Sequence, residues 1–155
     1  MMPDVEGSRN EADAARRAVM ALCALASPAE LRAALAASEA PEAEDLRPPE
    51  TGLVMARGRI GGDGRRFNLG EVTVTRAAVR LAAGETGFAY HLGRDRAKAR
   101  LAAILDALWQ QPDRRHAVER ALAPVAAREE AERQAQARRT AATRVDFFTL
   151  ARGED

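Results

Sequence analysis

The hydrophobic period of this chain changes twice, from helix-like to strand-like and back, and that order restricts the fold more than any single motif. From about Glu11 to Ala26, residues Ala15, Val19, Leu22, Leu25 and Ala26 recur at helical spacing. Ser27-Pro28-Ala29-Glu30 then reads as a fresh helix start. Ser27 suits the cap, Pro28 the first helical position, and Glu30 completes a capping box. Leu31, Ala34 and Leu35 give this second helix its apolar stripe. From Thr51 the pattern alternates: Val54, Ala56, Gly58 and Ile60 fall on one face, Arg57 and Arg59 on the other. Gly61-Gly62-Asp63-Gly64 is a hairpin loop signal. Phe67 and Leu69 share one parity and Val72 and Val74 the other, which predicts a bulge at Gly70-Glu71. Val79 and Leu81 end a further strand-like piece, and Phe88, Tyr90 and Leu92 mark a last strand after a turn at Ala83-Gly84-Glu85.

Helical spacing returns after Asp95, a suitable cap for a helix over about 96–110 with Ala97, Leu101, Ile104, Leu105 and Leu108 on its stripe. Pro112 opens a further helix carrying Val118 and Leu122, with a break or kink expected at Pro124. Residues 125–143 are rich in Ala, Arg, Glu and Gln, a polar helix of the kind that crosses solvent or lies along a partner. The expected fold is therefore α+β in one domain. N-terminal helices fill 1–40, an acidic Pro-bearing linker 41–50, an antiparallel meander of about four strands 51–93, helices 94–143 and a tail 144–155. Pro41, Pro48 and Pro49 argue against helix or central strand throughout the linker.

At 155 residues the chain is long enough for a real core. It is 46% hydrophobic but only 4% aromatic, and much of the apolar share is Ala. Ala favours helix and adds little burial free energy, so the expected core is thin for the length. A net charge of +1 gives no global attraction to nucleic acid or anionic membrane. No apolar stretch approaches membrane-spanning length and no signal-peptide pattern opens the sequence, so a cytoplasmic protein is expected.

Catalytic equipment is sparse. Cys23 is the single cysteine, so a disulfide within the chain and a cysteine-built metal or iron–sulfur site are excluded. It falls within an Ala-Leu helix and reads as packing. His91 and His116 lie on different elements, and no metal or cofactor is expected of this chain. His91 can face a cleft, although a satisfied structural histidine is the expected role. Gly61-Gly62-Asp63-Gly64 lacks the Lys-Ser/Thr of a phosphate loop and reads as a turn. Arginines gather in the strand region, and Arg57, Arg76, Arg80 and Arg94 are the phosphate-binding candidates. A solvated or interface role is the larger expectation for them. Aromatics are not interleaved with these arginines, which argues against a nucleic-acid surface.

The tail holds a further signal. Arg144, Asp146, Phe147 and Phe148 are the interface candidates. A Phe left in water forfeits about 2 kcal/mol of burial free energy, so the adjacent pair calls for cover. Two readings stand level: the tail folds back on its own domain, or at least one Phe docks on another subunit.

The pieces Glu50-Thr51-Gly52-Leu53-Val54, Arg59-Ile60-Gly61-Gly62-Asp63-Gly64, Phe67, Gly70-Glu71 and Thr73-Val74-Thr75-Arg76-Ala77-Ala78-Val79-Arg80-Leu81 stand in that order. Gly93-Arg94-Asp95, Asp106-Ala107-Leu108 and Arg144-Val145-Asp146-Phe147-Phe148-Thr149 follow them. Together they resemble the PhnG family of the bacterial carbon–phosphorus lyase system, over about Glu50 to Gly153. The resemblance implies an accessory subunit in phosphonate catabolism. With subunits H, I and L it would serve the displacement of adenine from ATP by a phosphonate, giving α-D-ribose 1-phosphonate 5-triphosphate. It also implies a core complex with subunits H, I and J. In it subunit I is the nucleosidase-like catalyst, and subunit J carries radical chemistry with an iron–sulfur cluster and S-adenosylmethionine. No catalytic residue carries over to this chain. The alternative is an autonomous phosphate-ester or nucleotide-binding enzyme that uses the arginine cluster.

Overall fold

The computed structural model describes residues 5–60 and 64–143, with side chains from Asn10 onward. Helices α1 (Val5–Leu25) and α2 (Pro28–Ala37) come first. Strands β1 (Ala43–Gly58), β2 (Phe67–Leu81) and β3 (Thr86–Leu92) follow, then helices α3 (Arg96–Gln110) and α4 (Arg115–Ala142). The class is α+β, with three long antiparallel strands in the order β1-β2-β3. Among the described residues the strand count is three rather than about four. The piece ending at Val79 and Leu81 is not separate: it completes a 15-residue β2.

Local chemistry sets most boundaries. The Ser27 hydroxyl accepts from the Glu30 amide at 3.2 Å, and the Glu30 carboxylate accepts from the Ser27 amide at 2.7 Å. This is a complete capping box with Pro28 just inside it. The Asp95 carboxylate caps α3 by accepting from the Lys98 amide at 2.8 Å. In β2 the register passes from Ala56↔Gly70 to Arg57↔Asn68, leaving Leu69 as the extra residue of a bulge. Gly70 sits there at φ +146°, a conformation that side-chain-bearing residues rarely adopt.

Two stretches differ from the expectation. The supposed linker is strand from Ala43 onward. β1 is an edge strand, where a missing N–H need not break the ladder, and two register shifts absorb Pro48 and Pro49 between Asp45 and Glu50. Of the break or kink expected at Pro124, the break does not occur, and α4 continues through it. Leu122 and Val125 on either side are fully buried and hold it to the other helices.

The helices pack on the sheet mainly through α3, and the face that carries Thr75, Ala77, Val79, Leu81, Ala89 and His91 is buried. Helix α3 is the centre of this layer. Ala99, Ala102, Ala103, Leu105, Ala107 and Leu108 are all fully buried. Small residues on several sides of one helix let sheet and helices approach closely, which is the structural use of the alanine-rich composition.

Candidate functional site

Among the described residues, the other face of the sheet carries the exposed side chains of β3, with Val74 and Ala78 of β2 buried between the strands. Cross-strand pairing puts Glu50, Gly52, Val54 and Ala56 of β1 with Val72, Val74, Arg76 and Ala78 of β2 and Phe88, Tyr90 and Leu92 of β3 on this side. Leu92 is 79% exposed, and Phe88 and Tyr90 are 56% exposed. Beyond Val74 and Leu92 the sheet narrows, because β3 pairs with β2 only from Val74 to Arg80. The hairpin of 53–58 and 67–73 thus projects as a two-stranded arm. It carries Leu53, Met55, Phe67 and Leu69 exposed, Leu69 at 62%. A hairpin uncovered on both sides is only marginally stable in water, and large contiguous apolar patches mark interaction surfaces.

A cleft of about 530 Å³ lies at the β3 side of this face. Arg16, Arg17 and Met20 of α1, Arg47, Arg76, Phe88, Tyr90, His91 and Asp106 are among its lining residues. Arg47 and Arg76 both bond the Glu50 carboxylate. Those two guanidiniums, Arg47 first, hold the Glu50 carboxyl below the usual range. Arg16 donates to Asp106 from Nε at 2.8 Å and Nη2 at 2.7 Å, a bidentate pair. Asp106, 1% exposed, also accepts from the Phe88 amide at 2.8 Å. The side-chain hydrogen bond to Asp106 raises the Arg16 pKa, against a smaller opposing effect of burial.

His91 is 5% exposed, and neither ring nitrogen has a hydrogen-bond partner among the described residues. Burial first, and Lys98 second, push its pKa below the ordinary value, so the ring is neutral at pH 7. His116 lies at the start of α4, largely exposed, 3.4 Å from Glu119. The Cys23 thiol is buried, and desolvation pushes it up to about 12, so it is inert as a nucleophile. Among the described residues no group of three or more His, Cys, Asp or Glu is placed to hold a metal ion. None of the described helices is long and apolar enough to cross a membrane.

The four candidate arginines are spread along the sheet. Arg76 lines the cleft. Arg80 is on the same face four residues on, a spacing of roughly 13 Å along a strand. Arg57 sits on the arm, where its Nε donates to Asn68 at 3.2 Å, eight strand residues or roughly 27 Å from Arg76. Arg94 belongs to a separate hollow with Leu92, Lys98 and Arg128. The basic neighbours that Arg76 does have are Arg16, Arg17 and Arg47. Two of these are on a helix and one is in the Pro-bearing stretch, so strand alternation held no signal for them. Arg144, Asp146, Phe147 and Phe148 lie outside the described residues.

Residues 14–153 match the family described as phosphonate metabolism protein PhnG. The chain belongs to the PhnG family. A curated relative from Rhizobium meliloti (strain 1021), named alpha-D-ribose 1-methylphosphonate 5-triphosphate synthase subunit PhnG, is 53% identical over 156 residues, covering all of both chains. The PhnG match thus takes in the arm, the open sheet face and every residue of the cleft.

Proposed function

We propose that this PhnG-family chain is an accessory subunit of a ribose 1-methylphosphonate 5-triphosphate synthase, in the breakdown of organic phosphonates, and that it docks through the open sheet face. The observation that carries the reading is that face: exposed Phe88, Tyr90 and Leu92 continue into an arm bearing Phe67 and Leu69. The name of the Rhizobium relative, a synthase subunit, supports it. A nucleophile with an adjacent base does not emerge from His91, His116 and Cys23, which fits catalysis in a partner, subunit I. Subunits H, I and J are the partners in the core complex, subunit L joins functionally, and ATP and a phosphonate are substrates of the whole. Arg76 and Arg80 serve the rim of the docking face or an anionic group presented there; Arg57 and Arg94 lie too far apart to share one phosphate with them. The tail, with Arg144, Asp146, Phe147 and Phe148, acts as an anchor on subunit I.

Co-expression of the tagged chain with subunits H, I and J, followed by affinity capture and sizing, tests this. A single large particle is expected. Phe147→Ala combined with Phe148→Ala is expected to release the chain from subunit I while its helix content by circular dichroism stays largely unchanged. An intact particle after that double change removes the anchor role.

A further inference from the structure

The two edges of the sheet are not alike. β1 carries Pro48, Pro49 and two register shifts along its length beside the body, features that spoil an edge for pairing. β3 has no proline and pairs with β2 without a break from Thr86 to Leu92. In an antiparallel ladder every second residue turns its N–H and C=O away from the partner strand. Phe88 is one of these, since its amide reaches Asp106. Thr86 is another, since its carbonyl accepts from Gln110 Nε2 at 2.8 Å. Tyr90 and Leu92 continue that parity, so their amides point out of the same edge.

The cleft takes in this edge with walls from both sides of β3, and from there it reaches across Arg76 and Ala78 of β2 to Arg47 of β1. Ala89 and His91 face the helix layer, where Arg16 and Arg17 stand beside them, while Phe88 and Tyr90 face the open side. A compact ligand meets one face of a strand. An added strand meets both, because its successive side chains alternate. Arg16 is paired with Asp106, and Arg47 and Arg76 share the one Glu50 carboxylate, so with Arg17 the four guanidiniums outnumber these carboxylates and favour acidic side chains in the occupant. The Asp106 carboxylate already stands where the first carbonyl of such a strand would go.

We infer that the β3 edge from Phe88 to Leu92 accepts an extended acidic segment of another subunit as a fourth strand. The added strand pairs through the backbone of Tyr90 and Leu92 and sends side chains into both halves of the cleft. The inference rests on the subunit reading above and adds the edge, the mode of binding and the chemistry of the partner segment.

Backbone hydrogen exchange at Tyr90 and Leu92 tests it, compared between the isolated chain and the complex co-expressed with subunits H, I and J. Slowing of both amides by roughly tenfold or more on assembly is expected. Tyr90→Pro removes the outward amide without touching the β2–β3 ladder, a placement proline tolerates. It is expected to lower incorporation at least as much as exchange is slowed, whereas Tyr90→Ala, which keeps the amide, retains most of it. Circular dichroism of each isolated variant checks its folding, and the exchange result stands whichever way that falls. Unchanged exchange within a formed complex, or full incorporation of a folded Tyr90→Pro chain, overturns the inference alone. Slowing already present in the concentrated isolated chain, with a dimer on sizing, overturns it in favour of a second copy. A chain that enters no complex overturns the inference and the subunit reading together.

Discussion

His91 is the residue whose environment departs furthest from its sequence context. By sequence it is one polar position in an alternating strand. In the fold it is turned under the sheet with both nitrogens unpartnered among the described residues. Its folded pKa lies below the unfolded value of about 6.5, so the unfolded chain takes up the proton first as pH falls. Stability is therefore expected to be flat above about pH 6.5 and to drop below it, by at most about 1.4 kcal/mol per pH unit. Urea unfolding at pH 8, 6 and 5 measures this, and His91→Gln should flatten that window. Glu30 titrates lower. The Arg128 guanidinium, then its own cap hydrogen bonds, depress its carboxyl to about 2, so its contribution is present above the usual carboxylate range and is lost as pH falls toward 2. The His91 window opens at the higher pH and the Glu30 window below the usual carboxylate range. Alternation was enough to place His91 on a strand, but not to tell which face the helices would cover.

Elements with local signals were legible. The caps at Ser27 and Asp95 depend on residues three positions apart, and those contacts are made by the residues named from sequence. The β2 bulge falls one residue from the expected Gly70-Glu71. What was missed depends on neighbours far along the chain. The 41–50 stretch becomes strand because β2 supplies a partner and the outer edge tolerates proline. Gly87 carried no signal of its own in the sequence, yet it is where β3 crosses α3. A Cβ there would sit 1.9 Å from the Ala103 carbonyl oxygen and 2.6 Å from the Ala107 amide nitrogen. Both atoms belong to helix backbone and cannot swing aside. Gly87→Ala is expected to push strand and helix apart at a cost of about 1–3 kcal/mol or more, read as a lower urea midpoint with unchanged slope. A melting curve that matches the parent would show that β3 and α3 do not approach this closely. For the site the division is the same: Arg76 was found by strand alternation, whereas Arg16, Arg17 and Asp106 join it only through the packing of α1 and α3 on the sheet.

At the scale of the whole molecule, the helices bury one side of the sheet, and among the described residues the other side exposes Phe88, Tyr90 and Leu92. The isolated chain should therefore associate with itself through Leu92, Phe88 and Leu69, with sedimentation showing growth as concentration rises. Leu92→Lys is expected to suppress that growth with little change in melting temperature, because the side chain is mostly in water already. Persistent association in the variant would point to another surface. The arm turns this into a question of supply. On the docking proposal, a cell that makes this chain faster than its partners carries surplus copies with exposed apolar strands, and matched synthesis of the subunits is the expected remedy.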